Sequence, residues 1–183
     1  MFARTERLLL RPGWSEDAPA LFQAICDPRI VRNLAQAPWP YNFDHALAFL
    51  TRERGPRDAS LLIFLRTAGA PRLAGGIGIH QLPSGEDELG YWIARPFWGQ
   101  GIATEAGRAL IANARHSLRV KRLASGHFLD NPASGRVLAK LGFKPIGTER
   151  RYSAGRGAEV PCKLFELDLD SCEDGPTACA MAA

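Results

Sequence analysis

Apolar residues recur along this chain with two periods, and the periods alternate in an ordered way. Leu8, Leu9 and Leu10 with Arg11 predict a first strand over Leu8 to Arg11. Ser15 is placed to cap a helix that carries Ala18, Leu21, Phe22 and Ile25 on one face. Ala35 to Phe43, with Pro38 and Pro40 around Trp39, reads as a loop, and Asp44 to Arg54 as the next helix. Leu61 to Arg66, Leu73 to Gln81 and Glu88 to Ile93 are strands separated by Gly, Pro and charged turns, which makes a β-meander. The period then lengthens: Ile102, Ala106, Ala109, Leu110, Ala114 and Leu118 predict a long helix. A strand over Arg122 to Leu129 follows, then a helix capped by Asn131, with Pro132 in its first turn and Gly142 at its end. Glu149 and Lys163 to Asp168 fall in or near two final strands joined through Tyr152 to Cys162. Ser171 to Ala183 is small, polar and unpatterned, and is expected to be a disordered tail. With no internal repeat in view, residues 1–170 are expected to form one domain.

The segment Pro96-Phe97-Trp98-Gly99-Gln100-Gly101-Ile102-Ala103-Thr104-Glu105-Ala106 joins the strand around Leu89-Gly90-Tyr91-Trp92-Ile93 to the long helix. Glycine lets a backbone approach a ligand closely, and the first turn of a helix has amides without intrahelical partners and a partial positive charge. Strand, glycine turn and helix in this order suit a diphosphate. Two other phosphate motifs are excluded. No glycine precedes the Lys and hydroxyl pair of a P-loop, and Thr104 stands where a dinucleotide fingerprint needs a third small residue. A plain helix-entry turn is the alternative for this segment.

The segment resembles motif A of the GNAT acyl-CoA N-acyltransferases, Q/R-x-x-G-x-G/A, as Trp98-Gly99-Gln100-Gly101-Ile102-Ala103. The aromatic first position is similar to the branch containing the Rim-type ribosomal-protein N-acetyltransferases. Thr5-Glu6-Arg7-Leu8-Leu9-Leu10-Arg11-Pro12 resembles the opening strand of that branch, and Glu16-Asp17-Ala18 with Asp27-Pro28 its next helix. Asn131-Pro132-Ala133-Ser134 through Val137-Leu138-Ala139-Lys140-Leu141-Gly142-Phe143 resembles its N-x-x-S-x-x-V-L-x-K-L-G-F segment.

The resemblance implies an α/β (α+β) fold: a mixed, mostly antiparallel sheet with helices on both faces, splayed open at the strand before the motif helix. Acetyl-CoA as cosubstrate would sit in that opening. Its diphosphate would take the amides of Gly99, Gln100, Gly101, Ile102, Ala103 and Thr104, and its pantetheine would pair with the backbone of Tyr91, Trp92 and Ile93. By the same resemblance Glu88 would accept the proton of the attacking amine, directly or through water, with Glu159 as second choice. Ser134 would protonate the departing thiolate, Asn131 would contact the cofactor while capping its helix, and Arg136 and Lys140 would reach its phosphates. The oxyanion donor is expected to be a backbone N–H near Ile93. The expected acceptor is a primary amine, either a protein N-terminus or a small molecule, shaped by the loops Trp39 to Phe43 and Gly155 to Pro161. A non-catalytic acyl-CoA sensor is the alternative, and the protein is expected to be a monomer or homodimer.

Composition narrows the remainder. The 183 residues carry a formal charge of +4 with acids and bases interspersed, so neither a nucleic-acid patch nor a membrane surface is indicated. Cys26, Cys162, Cys172 and Cys179 have no zinc spacing, and no metal is expected. His45, His80, His116 and His127 form no triad or metal pattern, and His127 reads as a half-buried structural histidine. No apolar leader core and no stretch of membrane-spanning length occurs, which predicts a cytoplasmic protein.

Overall fold

The computed structural model describes residues 1–55 and 58–170. The tail expected over Ser171 to Ala183, with Cys172 and Cys179, lies outside the described residues. Eight strands form one sheet: β1 (Ala3–Arg4), β2 (Leu8–Pro12), β3 (Ala59–Leu65), β4 (Arg72–Gln81), β5 (Asp87–Ile93), β6 (Arg122–Phe128), β7 (Lys144–Ser153) and β8 (Ala158–Asp168). Their order is β1-β2-β3-β4-β5-β6-β8-β7. All neighbours are antiparallel except β5 and β6, which run parallel and meet at one register position, Glu88↔Ala124.

Five α-helices cover the sheet among the described residues: α1 (Ala18–Ile25), α2 (Pro28–Val31), α3 (Phe43–Thr51), α4 (Ile102–Asn113) and α5 (Pro132–Lys140). Two apolar clusters show which face each takes. Ile102, Ala106 and Leu110 of α4 and Leu138 of α5 pack with Leu8, Ile63, Ile79, Leu89 and Leu123. On the other face, Leu21 and Ile25 of α1 and Ala46 and Leu50 of α3 pack with Leu62 and Phe64. Alternation along β3 therefore sends Ile63 to one helical layer and Leu62 and Phe64 to the other, as a pleat of period two requires.

The structure corrects several element boundaries. Ser15 is not the helix cap. The chain turns at Trp14, and Ser15–Asp17 is a 3-10 turn leading into α1. Neither the 3-10 turn nor α1 starts on a side-chain cap; Asp17 instead reaches back to take the Trp14 amide at 2.9 Å and is held by both terminal nitrogens of Arg11 at 2.7 Å. The helix expected from Asp44 starts at Phe43, where Asn42 accepts the His45 amide at 2.9 Å, and stops at Thr51. The last two strands are longer than the sequence pattern indicates, and the expected connection from Tyr152 to Cys162 shrinks to Ala154–Gly157. β7 is exposed along nearly its whole length, so pairing with β8, rather than alternation of apolar residues, makes it a strand.

Candidate active site

The opening between β5 and β6 follows from the hydrogen-bond parity of the sheet. The Ala94 amide donates to the Ala74 carbonyl at 2.8 Å, and β4 and β5 stay in register from there to Gln81↔Asp87. Backbone groups of alternate residues, Leu89, Tyr91 and Ile93, consequently point away from β4, towards β6. Beyond Glu88 no strand meets them. Side chains satisfy two of these groups: buried Ser125 donates to the Leu89 carbonyl at 2.9 Å, and Trp98 Nε1 donates to the Ile93 carbonyl at 2.7 Å. The amides of Tyr91 and Ile93 and the carbonyl of Tyr91 face the gap, a short strand edge without a partner. Trp92 points to the opposite face, where its indole lies over Gly76; a Cβ built there would stand 2.6 Å from Nε1.

At the mouth of the gap the backbone turns left-handed at Gly99 and again at Gly101, both with φ 76°. Gly101 is the N-cap of α4 and offers no side-chain cap. The first helical bond runs from the Glu105 amide to the Gly101 carbonyl at 3.0 Å, so the amides of Ile102, Ala103 and Thr104 have no helical partner. A Cβ built at Gly99 meets nothing within 4 Å, which leaves open space over the turn. Gln100 points its side chain back to the Pro96 carbonyl at 2.9 Å.

An acid in the first turn of α4 would repel a phosphate, but Glu105 is neutralised from the connection between β1 and β2. It accepts from Thr5 Oγ1 at 2.5 Å and from Arg7 Nε at 2.7 Å, while Arg7 Nη1 also donates to the Gln100 carbonyl at 3.2 Å. Burial pushes the Glu105 carboxyl up, and the bonds from Thr5 and Arg7 outweigh it, leaving the net shift downward. Sequence reasoning missed this link. Thr5 and Arg7 belong to the matched opening segment, yet nothing local ties them to Glu105, 98 residues from Arg7. Thr5, Arg7, Gly101, Thr104, Arg108 and Lys140 line a groove of about 650 Å³ beside this turn. Arg29, Arg32, Trp98, Asp130, Asn131 and Arg136 line a second of about 300 Å³. Lys140 and Arg136, both on α5, thus reach different grooves.

Glu88 sits at the root of the opening. It is 9 % exposed, rather than the solvated acid its neighbours Glu86 and Asp87 suggest. Arg151 of β7 bonds one carboxylate oxygen, and His80 Nε2 lies 3.3 Å from the other. Burial raises the Glu88 pKa, and the bonds from His80 and Arg151 overcome this to leave it below the ordinary glutamate value. Arg151 is shared with Glu149 at 2.5 Å. Glu159 lies apart, exposed on β8 and 3.6 Å from Arg150 Nε.

On the opposite wall, Asn131 accepts the Ser134 amide at 3.4 Å and so caps α5. The Ser134 hydroxyl lies 2.7 Å from the Tyr91 hydroxyl. His127 is half-buried: its Nδ1 is 2.9 Å from the Phe128 carbonyl and its ring lies tilted against Phe165, centroids 5.5 Å apart. The β7–β8 turn docks on the segment after α2, with the Ala154 amide on the Ala35 carbonyl at 2.8 Å and Arg156 reaching both the Arg32 carbonyl and Asp130. A Cβ at Gly155 would stand 3.1 Å from the Ala37 carbonyl, so this turn packs on residues that precede the expected loop Trp39 to Phe43, and Ala158 to Pro161 of the other expected loop are part of β8.

A mixed sheet parted beside a glycine-lined helix start is the architecture of an acyl-CoA-dependent transferase, and residues 7–144 match the Acetyltransferase (GNAT) domain family. The chain belongs to that family and is an N-acyltransferase. It is 28% identical over 171 residues, covering 89% of this chain and 94% of the relative, to the uncharacterized N-acetyltransferase YoaA of Bacillus subtilis (strain 168). A shorter stretch, 39% identical over 80 residues and covering 43% of this chain and 44% of the relative, is similar to the putative ribosomal N-acetyltransferase YdaF of the same organism. The fold is shared with a GNAT-family acetyltransferase from Bacillus anthracis at TM-score 0.78 and 20% identity, covering 92% and 98% of the two chains. It is also shared with the ribosomal L7/L12 N-acetyltransferase RimL in complex with CoA, at TM-score 0.77 and 18% identity over 94% and 100%. Among the described residues no group of three or more His, Cys, Asp or Glu side chains is arranged to hold a metal ion, and no helix is long and apolar enough to cross a membrane.

Proposed function

We propose that this enzyme moves an acetyl group from acetyl-CoA to a primary amine, on a protein N-terminus or a small molecule, by direct attack with both substrates bound. The observation that carries it is the unpaired edge of β5 leading from Glu88 to the glycine turn at α4. The residues present fit the donor. The amides of Gly99 to Thr104 are disposed for its diphosphate, with Arg136 and Asn131 beside the second groove. The Tyr91 edge offers its amide and carbonyl to the pantetheine arm as a neighbouring strand would.

Acetyl-CoA supplies an acetyl group activated as a thioester. The N–C bond forms, the C–S bond breaks with its electron pair left on sulfur, and one proton leaves the nitrogen. Glu88 takes that proton through a water molecule, because both of its oxygens already have protein partners. Its lowered pKa keeps it ionised across the neutral range. The Ile93 amide, facing the gap, meets the charge that develops on the carbonyl oxygen. Ser134 faces the departing sulfur.

Calorimetric titration with acetyl-CoA, CoA and ATP, followed by thiol-release assays with peptides bearing free N-termini and with small amines, tests this. Micromolar binding of both CoA ligands over ATP, with thiol release only when an amine is present, is expected. Absence of CoA binding would remove the proposal. A related result concerns Arg7. Arg7→Ala leaves Glu105 charged beside the cradle and is expected to weaken acetyl-CoA binding about five- to tenfold, in keeping with the loss of a charge-assisted contact. Adding Glu105→Gln should recover most of that loss, and an unchanged Kd in Arg7→Ala would show that Arg7 only braces the fold.

A further inference from the structure

The Tyr91 hydroxyl crosses the opening of the sheet. It lies 2.7 Å from Ser134 Oγ and 3.2 Å from the Ser134 carbonyl oxygen. The two residues sit on elements that no strand pairing joins at this level: Tyr91 is three places past the one β5–β6 bridge, and Ser134 is in the first turn of α5. A buried tyrosine needs a partner for its O–H, and here that partner belongs to Ser134, the hydroxyl assigned to the departing sulfur in the acyl-transfer mechanism. We propose that Tyr91 is a positioning residue for Ser134: its O–H donates to Ser134 Oγ and turns the serine proton towards the sulfur of acetyl-CoA. This inference rests on the acetyl-transfer function proposed above.

The chemistry of the two hydroxyls supports the assignment. Each has one proton to give and lone pairs to accept. A first-turn serine without a partner turns its proton to a nearby backbone carbonyl. A donor occupying one Oγ lone pair leaves the serine proton free to point into the gap. Burial raises the Tyr91 phenol to about 12, against the opposing effect of the Ser134 bond, so Tyr91 stays protonated and remains a donor at neutral pH. Chained donors polarise one another, so that the Tyr91 to Ser134 bond strengthens the serine as a donor to a thiolate. As the N–C bond forms and the C–S pair moves onto sulfur, Ser134 stabilises that charge by hydrogen bonding and both hydroxyls keep their protons. Solvent returns to the thiolate the equivalent of the proton that the amine released, so the overall products are amide and free thiol.

The test compares wild type, Tyr91→Phe, Ser134→Ala and the double variant, using acetyl-CoA and the amine with the greatest wild-type turnover in the acceptor screen. Phenylalanine keeps the ring and deletes only the donor. Tyr91→Phe should lower kcat about tenfold, the scale of one hydrogen bond, with KM for acetyl-CoA within about twofold. The double variant should be no slower than Ser134→Ala, because Tyr91 acts only through that serine. An unchanged kcat in Tyr91→Phe, or an equal further loss when it is added to Ser134→Ala, would overturn the assignment. A purely structural role would appear as a lower melting temperature with losses that add. Wild-type turnover of no amine would remove the acetyl-transfer function and the role of Tyr91 together, whereas turnover unaffected by Tyr91→Phe would remove the latter alone.

Discussion

Replacing Gly101 by valine is expected to raise the dissociation constant for acetyl-CoA by about a hundredfold or more while the protein remains folded. Gly101 holds φ 76° as the N-cap of α4, a left-handed conformation that costs a side chain roughly 1–2 kcal/mol and is worst for β-branched residues. Space is not the difficulty, since the nearest atom to an added Cβ is Arg7 Nη2 at 3.7 Å. The strain is relieved by turning the peptide, which swings the amides of Ile102 to Thr104 away from a common point. Hydrogen bonds to a charged group contribute about 1.5–3 kcal/mol each, so losing two corresponds to a hundredfold or more in affinity. Calorimetry on Gly101→Val beside its melting curve separates the outcomes. Each kcal/mol of strain should lower the melting temperature by only about 2–4 °C in a chain of this size. Binding within threefold of wild type would reduce the glycine turn to a helix entry.

The second large effect is expected from Glu88→Gln. Turnover should fall on the order of a hundredfold to a thousandfold at saturating acetyl-CoA, because the amide cannot accept a proton, whereas acetyl-CoA affinity should be retained. Wild-type turnover in this variant would take Glu88 out of the mechanism. The substitution also has a stability component of predictable sign. Glu88 has a folded pKa below its ordinary value, so its ionic contribution is present above the unfolded value near 4.5 and is lost as pH falls through the folded value. Glutamine removes that contribution at every pH. The melting temperatures of wild type and variant should therefore differ near neutrality and converge in acid. The difference should be moderate, since Arg151 keeps Glu149 at 2.5 Å when its bond to a charged Glu88 is gone.

The strands β2 to β6 and the helices α4 and α5 were legible from periodicity because each has one face in an apolar cluster and another turned elsewhere. β7 left almost no such trace. Its run Lys144–Ser153 is exposed along nearly its full length, and only backbone pairing with β8, closed by the four-residue turn Ala154–Gly157, makes it regular. The misplaced cap at Ser15 has a related cause. Ser15 has the right side chain at the right spacing, but its hydroxyl goes to Glu16 at 3.1 Å, while Asp17, held by Arg11, bonds back to the Trp14 amide and fixes the turn one residue earlier.

The candidate site divides in the same way. The glycine turn at Gly99 and Gly101, the free first turn of α4 and the Asn131 cap were readable in the sequence, because each is a local property of a few consecutive residues and their backbone angles. The same residues occur in order along a match that covers residues 7–144. Only the tertiary structure decided that Arg7 neutralises Glu105, that Glu88 is buried between Arg151 and His80, and that Tyr91 meets Ser134. These contacts span 98, 63 and 43 residues between Arg7 and Glu105, Arg151 and Glu88, and Tyr91 and Ser134. Charge and proton position at the site depend on groups a few ångströms apart in space, and a linear pattern holds no information about that proximity until the sheet has brought its strands together.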